Sequence, residues 1–209
     1  MNDINRIDYT PLAKVADVFT GITLRGESAS RNDPNGTHRL IRIGDLSSDG
    51  VVGAGAPGRV RVDGKDSDRY TLRAGDLLVA ARGSRLTAAV FDRTENAVAG
   101  SQFLVIRIRS AHSHLSAGFL AWYLNLPAIQ EQLAAQMRGS YIRSLPAGVL
   151  AQLHVPIPDQ RTQAAIVKLT ALQREENRLT TQIAAHRARL IQQLATNSIQ
   201  FNPRSNVIG

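Results

Sequence analysis

The chain has 209 residues, 43% of them hydrophobic, with 25 Lys/Arg against 17 Asp/Glu, a net charge of +8 and no cysteine. That length and apolar content fit one domain, or one domain with an appendage, and argue against disorder. The absence of cysteine excludes disulfides, thiolate metal sites and cysteine nucleophiles and fits a reducing cytoplasm, while no apolar run approaches the roughly 18–20 residues that span a bilayer.

Twenty-two of the 25 cations are Arg; only Lys14, Lys65 and Lys168 are Lys. Arg suits bidentate contacts to phosphates and guanine edges, although a GC-rich coding bias gives the same excess. No segment sets a dense Lys/Arg face against an aromatic one, so the charge favours a polyanion partner over a membrane. Residues 1–10 lack the charged-then-apolar layout of a signal peptide.

In chain order, Lys14-Val15-Ala16-Asp17-Val18-Phe19 reads as a short apolar segment or helical turn closed by Gly21. Residues 25–37 are a surface loop rich in turn formers. In residues 38–43 apolar Leu40, Ile41 and Ile43 alternate with Arg39 and Arg42, which predicts a strand with one wet face. Residues 45–58 are Gly/Ala-rich loop, 59–62 a short strand and 63–68 a charged, solvated turn. A turn at Ala74-Gly75-Asp76 launches a buried strand that ends at Arg82-Gly83. Further strands follow at 88–91 and 102–109; in the latter Leu104, Ile106 and Ile108 point one way, with Arg107 and Arg109 on a solvated face. Ser116 caps a helix to about residue 125, and Pro127 starts a second helix that runs to Arg138 and ends at Gly139. Leu153, Val155 and Ile157, with two prolines, close the body.

From Asp159 to about Ser198 glycine and proline disappear. Leu169, Glu176, Ile183, Leu190 and Asn197 form one heptad column, and Leu172, Leu179, His186 and Gln193 the other: an apolar a/d seam interrupted by polar residues. Forty helical residues make a rod of roughly 60 Å. One reading is an amphipathic helix folded back on its own domain. The favoured one is a dimerising arm whose seam needs a partner helix.

Several stretches, taken together and in order, resemble the specificity subunit of type I restriction-modification systems. They are the runs 12–21 (LAKVADVFTG), 41–46 (IRIGDL), 72–83 (LRAGDLLVAARG), 102–107 (QFLVIR), 139–145 (GSYIRSL) and 153–163 (LHVPIPDQRTQ). The resemblance implies an α+β fold: a globular, mixed or antiparallel-sheet target-recognition domain with a few short helices (residues 1–158), then a long coiled-coil helix (159–198) and a tail (199–209). Members usually carry two such units in tandem, whereas this chain carries one. It therefore implies an antiparallel homodimer through Leu169, Leu172, Glu176, Leu179, Ile183, His186 and Leu190, reading a bipartite palindrome of double-stranded DNA. Glu176 and His186 either fix the register of that seam, or face another subunit or solvent. The implied partners are DNA methyltransferase subunits and, in some systems, a restriction/translocase subunit; no membrane is involved.

On that reading, the candidate DNA contacts are Arg25 and Arg31, the turn Arg82-Gly83-Ser84-Arg85, and the segment carrying Arg138, Ser140, Tyr141 and Arg143. Glycine in these turns lets backbone approach a phosphate, and guanidinium groups supply charge-assisted bonds. Catalytic motifs are not evident. Gly53-Ala54-Gly55-Ala56-Pro57-Gly58 lacks the helix and lysine of a phosphate loop, there is no Asn-Pro-Pro-Tyr-type methyltransferase motif, and His112/His114 have no third metal ligand at suitable spacing. The chain is expected to be non-catalytic, without cofactor or metal, and cytoplasmic. The alternative expectation is a coiled-coil adaptor whose globular part binds protein rather than DNA.

Overall fold

The computed structural model describes residues 8–24, 33, 35–46, 53, 58–62, 64–83, 86–139 and 143–198. The chain divides into two compact units, residues 1–167 and 168–209.

In the first unit the elements run β1 (Tyr9–Pro11), the single turn α1 (Leu12–Val15), β2 (Ala16–Thr20), β3 (His38–Ile41), β4 (Arg59–Val60), α2 (Lys65–Tyr70), β5 (Asp76–Ala80), β6 (Ala88–Phe91), β7 (Ala97–Ala99), β8 (Phe103–Ile108), α3 (Ala117–Leu124), α4 (Pro127–Ala135), α5 (Ala147–Gln152) and β9 (His154–Pro156). The last helix, α6 (Gln160–Ser198), begins here and forms the described part of the second unit. This is the α+β class expected, with a long final helix.

The described strands form an antiparallel pair β1-β9, an antiparallel four-stranded sheet in the order β2-β8-β5-β6, and a small sheet β4-β3-β7 in which β3 runs parallel to β7. Side chains alternate across a strand, and the central sheet uses both of its faces. Leu77 and Val79 of β5 join Leu104 and Ile106 of β8 in one core, with Leu12, Phe119, Leu120 and Leu124 from the helices. Leu78, Ala80, Phe103 and Val105 point the other way and pack with Ile41, Ala97 and Ala99 of the small sheet. Every residue of β5 is therefore buried. Gly21 allows the closest approach between layers: a Cβ there would lie 2.3 Å from the Gly100 carbonyl oxygen.

Several expectations are corrected. Residues 14–19 split between α1 and β2, because Asp17 to Thr20 pair with β8. Within the turn expected at 63–68, Lys65 to Asp68 instead begin the helix α2, while Asp63 lies outside the described residues. In β3 the wet face is absent: Arg39 is buried, donating from Nη1 to Glu95 (2.8 Å) and from Nη2 to the Gly53 carbonyl (2.7 Å), and its neighbour His38 is buried between Thr37 and Thr71. Helix α4 ends at Ala135, three residues before Arg138. Arg107 is not solvated. It grips the buried Asp76 through Nε (2.9 Å) and Nη2 (2.6 Å), donates to the Thr71 carbonyl and lies over the Phe19 ring. A buried carboxylate needs such a bidentate partner to offset its desolvation. Arg109 is exposed and paired with Asp17.

Two helix starts are capped by side chains, at Ser116 as expected and at Asp159. The Ser116 hydroxyl accepts from the Phe119 amide (3.3 Å), and Asp159 accepts from the Thr162 amide (3.0 Å) and hydroxyl (2.7 Å). Those two Thr162 bonds hold the Asp159 carboxyl below the usual carboxylate range. Gln163 is buried in the first unit, where it bonds the Ser116 amide and the His114 and Pro158 carbonyls. Burial pushes the Tyr123 phenol up, and its hydroxyl donates to the His154 carbonyl.

Candidate nucleic-acid interface

The site starts from the C-terminal end of β5. The core strand carries the chain to Ala81, whose amide donates to the Gln102 carbonyl (2.9 Å) and whose carbonyl accepts from Leu145 (2.9 Å). Arg82 follows at once and forms an antiparallel bridge with Ser144, which forms a second antiparallel bridge with Arg138 on its other side. The Arg138 and Ser144 amides each donate to the other's carbonyl, at 2.9 and 2.8 Å. Three short stretches thus lie side by side, with Ser144 in the middle.

Residues directly opposed in antiparallel pairing project to the same side. Arg82, Ser144 and Arg138 therefore share a face, and at about 4.8 Å per strand spacing the two arginine backbones stand roughly 10 Å apart. Both arginines are exposed, and neither guanidinium has an ion-pair partner among the described residues. Arg143, also exposed, donates from Nη2 to the Ala134 carbonyl (3.0 Å) at the end of α4, which also accepts from the Met137 amide (3.2 Å). Gly83 (φ 106°) and Gly139 (φ 113°) adopt the left-handed region immediately after the two arginines, so each chain turns away just beyond the cation.

What holds this corner is a pair of side-chain amides. Strand β6 is the outer strand of its sheet, and helix residues cover its open edge. Asn125 accepts from the Ala88 amide (2.9 Å) and donates to the Ala88 carbonyl (2.7 Å). Gln130 does the same for Leu86 with both bonds at 3.1 Å, and also donates to the Leu124 carbonyl (2.6 Å). Leu86 stands four residues after Arg82 and is buried, so Gln130 fixes the chain just beyond that arginine.

Of the predicted contact residues, Arg82, Arg138 and Arg143 are brought to one corner. Arg25, Arg31, Ser84, Arg85, Ser140 and Tyr141 lie outside the described residues. Sequence reading missed Ser144 as the connecting residue and Gln130 as the anchor. The alternation Arg143-Ser144-Leu145, with Leu145 buried, was the available signal for the former. A second arginine-bearing groove is lined by Asp17, Arg73, Asp76, Arg107 and Arg109. Its carboxylates already neutralise Arg107 and Arg109. His112 and His114 have ring centroids 5.8 Å apart, and among the described residues no group of three His, Asp or Glu side chains is placed to hold a metal. Among the described residues, no helix is long and apolar enough to cross a membrane.

In the second unit, the seam residues Leu169, Leu172, Leu179, Ile183 and Leu190 are 44–66% exposed. Glu176 and His186 are exposed on the same seam. Ile191 and Leu194, off the two heptad columns, are exposed as well.

No curated protein matches the chain. Among solved structures, it is similar to a chain from work on complex assembly and conformational transition of the type I R-M system (TM-score 0.68, 16% identity, 93% of this chain and 45% of that one). It is similar to the type I restriction-modification S subunit from M. genitalium (TM-score 0.53, 20% identity, 90% of this chain and 45% of that one). The HsdS subunit from Thermoanaerobacter tengcongensis gives a TM-score of 0.58 at 15% identity, over 84% of this chain and 39% of that one. The chain spans less than half the length of each, and at these identities the likeness concerns the fold. The family model for the type I restriction modification DNA specificity domain matches residues 11–186, across the strand-end corner and into the long helix. By that match this chain belongs to the family of type I restriction-modification DNA specificity domains.

Proposed function

We propose that the chain is a non-catalytic, sequence-specific DNA-binding module: a recognition domain over residues 1–158, a pairing helix over 159–198 and a tail over 199–209. The observation that carries this reading is the face shared by the exposed Arg82 and Arg138 and the half-buried Ser144 between them. Cations without ionic partners among the described residues are available to phosphates, and a hydroxyl between two guanidiniums can reach a base edge. In the sequence, Ser84 and Arg85 follow Arg82 and Gly83, and Ser140 and Tyr141 stand between Gly139 and Arg143. Family membership supports the DNA reading.

The exposed leucine seam of α6 supports self-association. Two copies paired antiparallel through it present two modules to one duplex, and two-fold symmetry makes the target two inverted half-sites with an unread spacer. Methyl transfer, and cleavage where it occurs, belong to methyltransferase and restriction/translocase subunits that the module directs in the cytoplasm.

Selection of bound duplexes from a random pool tests this. The expected product is an inverted repeat, with affinity falling on added salt at a log–log slope near −5 for about six neutralised phosphates. Unselective binding, or none, would remove the DNA reading and leave a coiled-coil adaptor.

A further inference from the structure

The self-pairing proposed above leaves open which residues meet. We infer that α6 pairs with a second copy in one antiparallel register, in which Glu176 of each chain opposes His186 of the other and the two-fold axis passes at the level of Thr181. This inference rests on the dimer reading and deepens it to the residues that select alignment.

Between Leu169 and Leu190 the seam carries two polar interruptions among exposed leucine and isoleucine, one acidic and one a histidine; Gln193 and Asn197 follow beyond Leu190. A parallel, in-register pair would stack Glu176 on Glu176 and His186 on His186, setting like groups together at both interruptions. An antiparallel pair sets each residue of one heptad column against one of the other. One such alignment gives Leu169–Gln193, Leu172–Leu190, Glu176–His186 and Leu179–Ile183, each occurring twice. The imidazole N–H donates to the carboxylate in either protonation state of the histidine.

Sliding by a heptad loses this. One way, Glu176 meets Leu179 and His186 meets Leu169. The other way, His186 meets Ile183 and Leu172 meets Asn197. The first slide sets a carboxylate, and the second an imidazole, against an aliphatic side chain that offers no bond, so each carries a desolvation penalty that the proposed register avoids at Glu176 and His186. The flanking positions agree. In the proposed register Glu175 of one chain lies across from Arg189 of the other, and Gln173 across from Arg187. Parallel pairing sets Glu175 against Thr180 and Gln182 against Arg187, with no opposite charges. Glu175 is exposed and already bonded to Arg178 in its own helix (2.5 and 2.7 Å), so the second-copy arginine adds to a carboxylate held in place.

The chain has no cysteine, which makes the register directly readable. Full-length Leu172→Cys and Leu190→Cys chains, mixed and oxidised, are expected to give the mixed disulfide, with neither variant linking to itself. Self-linking of Leu172→Cys alone, or no mixed product from a mixture that light scattering shows to be dimeric, overturns the register. Charge exchange supplies a second reading without cysteine. Glu176→Arg and His186→Glu should each raise the dimer Kd at least roughly tenfold, and the double variant should return it to within about threefold of the parent. Single losses without recovery in the double variant overturn the Glu176–His186 pairing. A parent chain that is monomeric overturns the register and the dimer reading together; a dimer with the wrong linkage overturns the register alone. Neither outcome depends on DNA binding.

Discussion

The two units treat the same residue type in opposite ways. In the first, leucines of β5, β8 and α3 are buried between sheet faces and helices, and β5 hides both of its faces. In the second, leucines recur at heptad spacing on a helix and remain about half exposed. The arginines show a parallel contrast within the first unit. Arg39 and Arg107 are tied to Glu95 and Asp76 and serve the fold, whereas Arg82 and Arg138 project from a strand end without ionic partners among the described residues. Exposed apolar surface costs solubility in a free chain, and solvated cations on one face are open to an anionic partner, which is why the proposed interfaces lie there.

That contrast can be broken experimentally at several points. The largest effect is expected from Leu179→Asp combined with Ile183→Asp, which should abolish self-association in light scattering while leaving the melting temperature of the first unit unchanged. A fall in that temperature would mean the seam is covered within the chain. Next, Arg107→Ala leaves Asp76 buried and unpaired and should cost about 3–5 kcal/mol in denaturant unfolding. Arg82→Glu with Arg138→Glu should do the reverse. Affinity for the selected duplex should fall about 10–100-fold and the salt slope should flatten by about 2, with no change in unfolding. Equal loss of stability would place these two arginines with the structural set.

Smaller effects sharpen the picture. Gln130→Ala removes the anchor of Leu86 and should cost about 1 kcal/mol in stability. Hydrogen exchange at the Leu86 amide should quicken, and DNA affinity should drop a few-fold through the loosened turn. The smallest change concerns Asp159. Its carboxyl is held below the usual range by bonds from Thr162 that the ionised form accepts more strongly than the protonated one. The support it gives the start of α6 is therefore present above the ordinary carboxylate pKa and fades as pH falls through the lowered value. Exchange at the Thr162 amide should follow that course, and Asp159→Ala should abolish the pH dependence.

Much of the first unit was legible because its strands keep period-two patterning. Residues 88–91 are β6 as expected, Leu104 and Ile106 share one core, and Ser116 and Pro127 begin α3 and α4. Arg39 was misread because an alternating basic residue normally faces water; its burial depends on Glu95 and the Gly53 carbonyl, which no local pattern reveals. Arg107 was misread for the same reason, since Asp76 reaches it only across the β5–β8 pairing. Residues 65–70 carry alternating charges and no apolar period, yet form α2, with Thr71 bonding back to the Ser67 carbonyl. Both arginine-bearing segments of the candidate site were visible as separate clusters. That they adjoin was not, because the contact runs through the backbone of Ser144.

By itself the sequence determined the local order: which stretches are strand or helix, where helices are capped, that the last helix carries an apolar seam, and that cations gather after β5 and α4. Those properties depend on near neighbours at periods of two, three and four residues. The tertiary structure alone decided which arginines are spent on buried carboxylates and which remain on a shared face. Ion pairing and bridge formation join residues far apart in the chain, and only the closed sheets bring them within bonding distance.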